Sequence, residues 1–192
     1  MAGDPGDDKA ALRRQWRRRR SALLPHASAG LAAAALRKLP PLVPAGLHLG
    51  LYWPLPGEPD LRHLASLGSL RLALPWTPCG RPTEAAGLEY RPWRAGIPLE
   101  PDGCGIPAPP ASTPLAPADL ALLLVPALAL DRQGMRLGSG GGWYDRLRAE
   151  ASWRAVPALA VIPRGCLVKR LPADPWDIPF DGWLSEEGLE WR

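Results

Sequence analysis

The sequence predicts a three-layer α/β fold, and two observations carry that expectation. Helical patterns alternate with short apolar runs along the chain, the order found when helices cover a buried sheet. The sharpest run, Leu120 to Val125, is followed by a turn-rich stretch, a glycine loop and a segment that can start a helix. Twenty-five prolines in 192 residues mark many short connections and argue against a helical bundle.

Residues 1–8 are small and acidic and are expected to be a disordered terminus, with a single catalytic-sized domain over 9–192. From Lys9 a helical pattern begins. Leu12, Trp16 and Leu23 form its apolar stripe, and Lys9, Arg13, Arg17 and Arg20 recur on another face. Residues 31–39 read as a second helix, stopped by Pro40, Pro41 and Pro44. Leu47 to Trp53 alternates as a strand does, with Leu47, Leu49, Leu51 and Trp53 on one face, which makes Trp53 a core residue. A turn, Pro54 to Asp60, leads to a short helix over 59–67. Arg71 to Pro75 is the next strand. Residues 76–118 are loop-rich, with a short strand expected at Leu88 to Arg91.

Leu120 to Val125 reads as the central buried strand. Gly138, Gly140, Gly141 and Gly142 place four glycines within five residues, with Arg136 just before them and Asp145 just after. Glycine lets a ligand approach the backbone, and amide N–H groups of such a loop can cradle an anion. An acidic residue beside a phosphate loop makes sense when a metal ion sits between them. The loop is not a Walker A motif, because no Gly-Lys-Ser/Thr follows, and its glycines do not form a dinucleotide fingerprint. A helix over Trp143 to Ala151 and a buried strand over Val156 to Ile162 complete the pattern.

Composition narrows the function. The chain is 46% hydrophobic, as a globular protein is, and its net charge of +4 is mild but uneven. Lys9 to Arg20 alone holds seven basic residues, which read either as a solvated helix face or as a nucleic-acid arm. The mixed charges elsewhere do not require a nucleic-acid face. Cys79, Cys104 and Cys166 are far apart and form neither a disulfide framework nor a zinc pattern, which fits a reducing cytoplasm. No apolar run approaches the roughly 20 residues of a membrane span, and no secretory signal is expected. His48 and His63 are read as ordinary histidines.

The segment Asp131 to Asp145, D-x-x-G-x-R-L-G-x-G-G-G-x-Y-D, resembles the signature of the 5-formyltetrahydrofolate cyclo-ligase family, the 5,10-methenyltetrahydrofolate synthetases. Weaker motifs follow in the family's order: Lys9 and Arg13 in K-x-x-x-R, Glu58 in the turn after a strand, Gly105 to Pro109 as G-I-P-x-P, and Asp177 to Asp181 before a last apolar strand. The resemblance runs from Lys9 to about Leu184. It implies a mostly parallel sheet of the ribose-isomerase and CoA-transferase type. It also implies ATP- and Mg²⁺-dependent closure of 5-formyltetrahydrofolate to 5,10-methenyltetrahydrofolate, in a cytoplasmic monomer without nucleic-acid or membrane partners.

By the same resemblance, ATP is bound by Lys9, Arg13, Arg136, Leu137, Gly138, Ser139, Gly140, Gly141, Gly142, Trp143 and Tyr144, with Arg136 stabilising phosphate. Folate is bound by Glu58, Tyr52 and Trp143, and magnesium by Asp145 and Asp177. No residue serves as a nucleophile, and Arg17 to Arg20 are given no role. Departures from the family pattern are Cys104 at about the place where some members carry tryptophan, Trp176 where histidine is usual, Ser139 where many members carry a tyrosine or basic residue, and Trp143 in place of the first of two tyrosines. A related enzyme acting on another carboxamide, a nucleic-acid module built on Arg17 to Arg20, and an inactive relative are the competing readings.

Overall fold

A computed structural model describes residues 5–79, 87–110, 112–174 and 177–192. The chain opens with one helix, α1 (Pro5–Lys38), and continues through β1 (His48–Gly50), β2 (Arg71–Trp76), β3 (Glu89–Trp93) and the two-residue strands β4 (Glu100–Pro101) and β5 (Pro107–Ala108). Then come β6 (Leu120–Pro126), β7 (Ala129–Asp131), β8 (Arg136–Leu137), α2 (Trp143–Ala149), α3 (Ala151–Arg154), β9 (Ala158–Val161), β10 (Leu167–Val168), β11 (Gly182–Ser185) and β12 (Gly188–Trp191).

Seven strands form the main sheet in the order β12-β11-β9-β6-β1-β2-β3. The five inner strands are parallel, and β3 and β12 pair antiparallel at the two edges. The expected α/β architecture with a mostly parallel sheet is therefore present. Alternate residues of β6 explain why its sequence is apolar throughout. Leu122 and Leu124 pack with Leu49, Leu159, Val161 and Leu184 on one face, while Leu123 and Val125 pack with Ala158, Ala160 and Trp183 on the other. A strand buried on both faces has no polar side to show.

The two helices expected over 9–23 and 31–39 are a single one of 34 residues with Pro25 inside it. Proline removes one intrahelical donor, a local penalty. Burial on both sides of it outweighs that penalty. Ala27, Leu31, Ala34 and Ala35 lie against the sheet, while Leu12 and Trp16 pack on Leu128, Ala129, Leu137 and Leu171. The helix also begins at Pro5 rather than Lys9; residues 1–4 lie outside the described residues. In its C-terminal half α1 touches the turn between β11 and β12 so closely that a Cβ on Gly30 would stand 2.7 Å from the Glu186 Cβ.

The expected helix over 59–67 is a 3₁₀ turn, Arg62–Ser66, and the helix after the glycine loop divides at Glu150 into α2 and α3. The α2–α3 pair covers the face opposite α1 through Leu147 and Trp153, which gives the three layers.

β1 is the topological switch. From it the chain moves outward to β2 on one side, and later from β6 to β9 and β11 on the other. Segments leaving the carboxyl ends of β1 and β6 diverge, and the crevice between them is where open α/β sheets take ligands.

Candidate active site

A cavity of about 370 Å³ occupies that crevice. Tyr52, Trp53, Leu55 and Glu58 line it from the segment after β1, Pro75 and Thr77 from the end of β2, and Asp102, Cys104 and Ile106 from the turn between β4 and β5. Pro126, Arg136, Ser139, Gly140, Gly141, Gly142, Trp143, Tyr144 and Asp145 close it from the β6 side. Most of the residues expected from sequence thus converge on one space.

The glycine loop is shaped around Arg136. A Cβ on Gly138 would stand 2.5 Å from Arg136 Nη1, so any side chain there would displace the guanidinium. Arg136 Nη1 donates to the Pro126 carbonyl at 3.3 Å, and Nη2 donates to Asp145 Oδ1 at 2.8 Å. Its guanidinium also lies 5.7 Å from the Tyr144 ring centre and 5.4 Å from that of Phe180. The arginine is therefore held at the cavity wall rather than free to swing. No acceptor among the described residues takes the backbone N–H groups of Gly138 to Gly142. Those donors, with a fixed cation behind them, can receive an anion. α2 is only seven residues long, so amides and Arg136 supply most of the attraction.

α1 brings its own cations to this loop. Arg13 packs beside Gly140, where a Cβ would be 3.6 Å from its Nε, and that nitrogen is buried without a partner among the described residues. Lys9 is ion-paired with Asp174, and the Asp174 N–H donates to Asp177 Oδ2 at 2.8 Å. Lys9 and Asp177 thus belong to one turn cluster, whereas Asp145 lines the cavity and Asp177 does not. Among the described residues no group of three metal-ligating side chains forms. Leu137 is buried beneath the loop with Leu128 and Ala129, so its side chain supports the loop instead of facing the cavity. Trp176 lies outside the described residues.

On the opposite wall Glu58 is 8% exposed. Burial raises its carboxyl pKa above the usual glutamate value, and the Leu55 N–H and the charges of Arg20 and Arg136 oppose that rise. Tyr52 presents its ring to the cavity, and its hydroxyl donates to the Pro59 carbonyl at 2.7 Å. Burial also raises the pKa of the Tyr144 phenol, helped by the nearby Glu58 charge, so both tyrosines stay neutral donors.

Trp53, expected in the core, packs partly buried against it and also lines the cavity. β1 itself ends at Gly50, short of the expected strand end at Trp53. Arg62 lies 4.3 Å from its ring centre, and Trp93 meets its edge at 6.5 Å. Thr77 and Asp102 were not foreseen. Asp102 accepts from the Thr77 N–H and hydroxyl and from the Cys104 and Ile106 N–H groups, which fixes the turn beneath the cavity. The Asp102-Gly103 pair was a turn signal for this spot. Arg20, lost in the basic run, is buried at 2% exposure against Glu58.

The elements that carry these walls lie within a single family match. Residues 5–186 match the 5-formyltetrahydrofolate cyclo-ligase family. The chain belongs to that family. Its members are ligases, and this protein is an enzyme of that kind. It is 34% identical over 143 residues to the 5-formyltetrahydrofolate cyclo-ligase of Mycolicibacterium smegmatis, covering 70% of this chain and 71% of the relative. It is 37% identical over 75 residues to the Escherichia coli K12 enzyme of the same name, covering 38% and 40% of the two chains. The solved structure of Aquifex aeolicus 5,10-methenyltetrahydrofolate synthetase superposes with a TM-score of 0.72 at 28% identity, over 95% of this chain and 92% of that one. The Mycoplasma pneumoniae synthetase shares the fold with a TM-score of 0.69 at 21% identity, over 94% and 99%.

Proposed function

We propose that this protein closes 5-formyltetrahydrofolate to 5,10-methenyltetrahydrofolate, using ATP and Mg²⁺ and releasing ADP and phosphate. The observation that carries the reading is the pairing of two unlike walls in one crevice. A buried carboxylate, Glu58, faces an arginine-backed loop of free amides across a cavity of about 370 Å³. One wall suits a ring with N–H donors and the other suits phosphate.

The formyl oxygen is amide-like and leaves poorly. Transfer of the γ-phosphoryl group onto that oxygen makes it a phosphate ester. N10 then attacks the activated carbon and loses its proton, the C–O bond breaks, and phosphate departs with the oxygen. Such a transfer needs positioning and charge neutralisation more than a covalent protein partner. Arg136 and the amides of Gly138 to Gly142 hold the phosphates from below, Arg13 reaches them from α1, and Lys9 would join them on parting from Asp174. Ser139 contributes its backbone, Leu137 anchors the loop, and Trp143 and Tyr144 wall the nucleotide side. Glu58 accepts N–H donors of the pterin end, and the rings of Tyr52 and Trp143 flank it.

Asp145 is half-exposed at the edge of this cavity, a placement that fits an ion taking one or two carboxylates and otherwise phosphate and water. Bound there, Mg²⁺ would neutralise phosphate charge. Asp177 does not line the cavity and would act through water. We take the protein to act as a cytoplasmic monomer whose partners are its two substrates.

The test is turnover. Purified protein with 5-formyltetrahydrofolate and Mg-ATP is expected to raise the near-ultraviolet absorbance of the methenyl product, and the sample without ATP is expected to stay flat. Absence of product from folded, ATP-bound protein would overturn the reading.

A further inference from the structure

Arg20 ends a run of four arginines, and the other three are exposed. A buried guanidinium is costly unless its charge and donors are met. Here Nη1 donates to the Ala127 carbonyl at 3.1 Å and stands 3.5 Å from Glu58 Oε1. Ala127 directly follows β6, and Glu58 lies in the segment after β1. Arg20 therefore ties together the two diverging chain segments that bound the crevice. Local packing enforces the contact. Gly57 has φ of +79°, and a Cβ there would stand 2.8 Å from Ser21 Oγ, so the Pro54-to-Glu58 turn presses onto α1 one residue after Arg20. The second carboxylate oxygen, Oε2, accepts the Leu55 N–H at 3.1 Å.

Building on the proposed reaction, we infer that Arg20 is the positioning residue for Glu58, holding its carboxylate ionised and aimed into the cavity without itself touching substrate. Arg20 is absent from the cavity lining, which separates this role from that of Arg136. The groups facing Glu58 are Arg20 from α1, Arg136 from β8, Tyr52 from the segment after β1 and Tyr144 from α2. The two tyrosines are neutral, and Arg136 is already paired with Asp145 at 2.8 Å, so Arg20 is the cation devoted to Glu58. The same helix thus sends Arg13 to the phosphate wall and Arg20 to the folate wall.

The experiment compares Arg20→Gln and Arg20→Lys with the unsubstituted full-length chain across pH. Arg20→Gln is expected to raise the KM for 5-formyltetrahydrofolate about tenfold while the KM for ATP stays within about twofold. The acid limb of kcat/KM for the folate is expected to move to higher pH, because the carboxyl has lost its cation. Arg20→Lys is expected to restore most of both effects. An unchanged folate KM and acid limb in Arg20→Gln would overturn the inference. If Arg20→Gln does not fold, the Arg20→Gln, Glu58→Gln double variant is expected to melt higher than the Arg20→Gln single, since no unpaired carboxylate is left behind. No recovery would count against the pairing. If the unsubstituted chain shows no turnover, the reaction is overturned instead. The pairing is then read from the ¹³C titration of the Glu58 carboxyl, whose midpoint is expected to rise in Arg20→Gln and to stay near that of the unsubstituted chain in Arg20→Lys; an unmoved midpoint in Arg20→Gln rejects it.

Discussion

Arg136 and Asp145 neutralise one another across the glycine loop, Nη2 to Oδ1 at 2.8 Å. In the proposed reaction the two part, the arginine to phosphate and the carboxylate to the metal. Asp145 is half-exposed, so the pair itself contributes under about 1 kcal/mol to stability. Asp145→Asn is therefore expected to melt almost unchanged while kcat/KM for Mg-ATP falls roughly a hundredfold. Calorimetry and initial rates at varied Mg-ATP check both halves; a large fall in melting temperature would reassign Asp145 to structure.

Glu58 carries a pH signature of known sign. Its folded-state pKa lies above the ordinary value of 4.5, because burial outweighs the Leu55 N–H and Arg20. A raised pKa means that the native state binds the proton more tightly than the unfolded chain. Glu58's contribution to stability is thus greatest below pH 4.5 and diminishes as pH rises through its raised value. The melting temperature of the protein relative to Glu58→Gln is expected to decline over that window. Folate affinity is expected to run the other way, since the ionised form accepts the ring's N–H donors. A folate KM that is flat with pH would separate Glu58 from substrate.

Arg13 and Arg19 sit six positions apart on one helix and predict opposite outcomes. Arg13 meets Gly140 and holds a buried, unpartnered Nε, whereas Arg19 is exposed and donates to the Gly165 carbonyl at 2.9 Å. Arg13→Ala is expected to raise the KM for ATP about tenfold or more. Arg19→Ala is expected to leave both substrates' kinetics within about twofold. Equal losses at the two sites would point to a general effect on α1.

Asp131 is wholly buried and accepts the N–H groups of Gln133, Met135 and Leu171. Removing its carboxylate orphans three donors at once. Asp131→Ala is expected to cost about 3 kcal/mol or more in denaturant unfolding. Gly134, in the same turn, leaves no room for a side chain: with φ of +83°, a Cβ would stand 2.4 Å from the Phe180 carbonyl oxygen. Part of the family motif is therefore scaffold for Arg136, not contact with ligand.

What could be read from sequence followed how local each signal was. The β6–loop–α2 segment was legible because an uninterrupted apolar run and a glycine cluster are both short-range patterns. Glu58 was legible only through family resemblance, since a turn glutamate carries no mark of burial. The unity of α1 was hidden because Pro25 is a strong local stop, while the sheet face that overrules it comes from distant residues. Arg20 was hidden for the same reason: among four adjacent arginines, only the tertiary path of the Pro54-to-Glu58 turn decides which one is buried. Strands β7, β8 and β10 are two or three residues long and show no periodicity to detect. β12 could have been suspected from the Glu186-Glu187-Gly188 turn.

The contact between Gly30 and Glu186 also sets an order of events during synthesis. α1 emerges well before them and is rich in helix formers, yet the surfaces it rests on include β11 and β12, which are made much later. Until residue 186 has left the ribosome, the apolar stripe of α1 has no complete bed, and the nascent chain carries that surface uncovered. Contacts so distant in sequence close late, because the long chain between them must be ordered before they reward it.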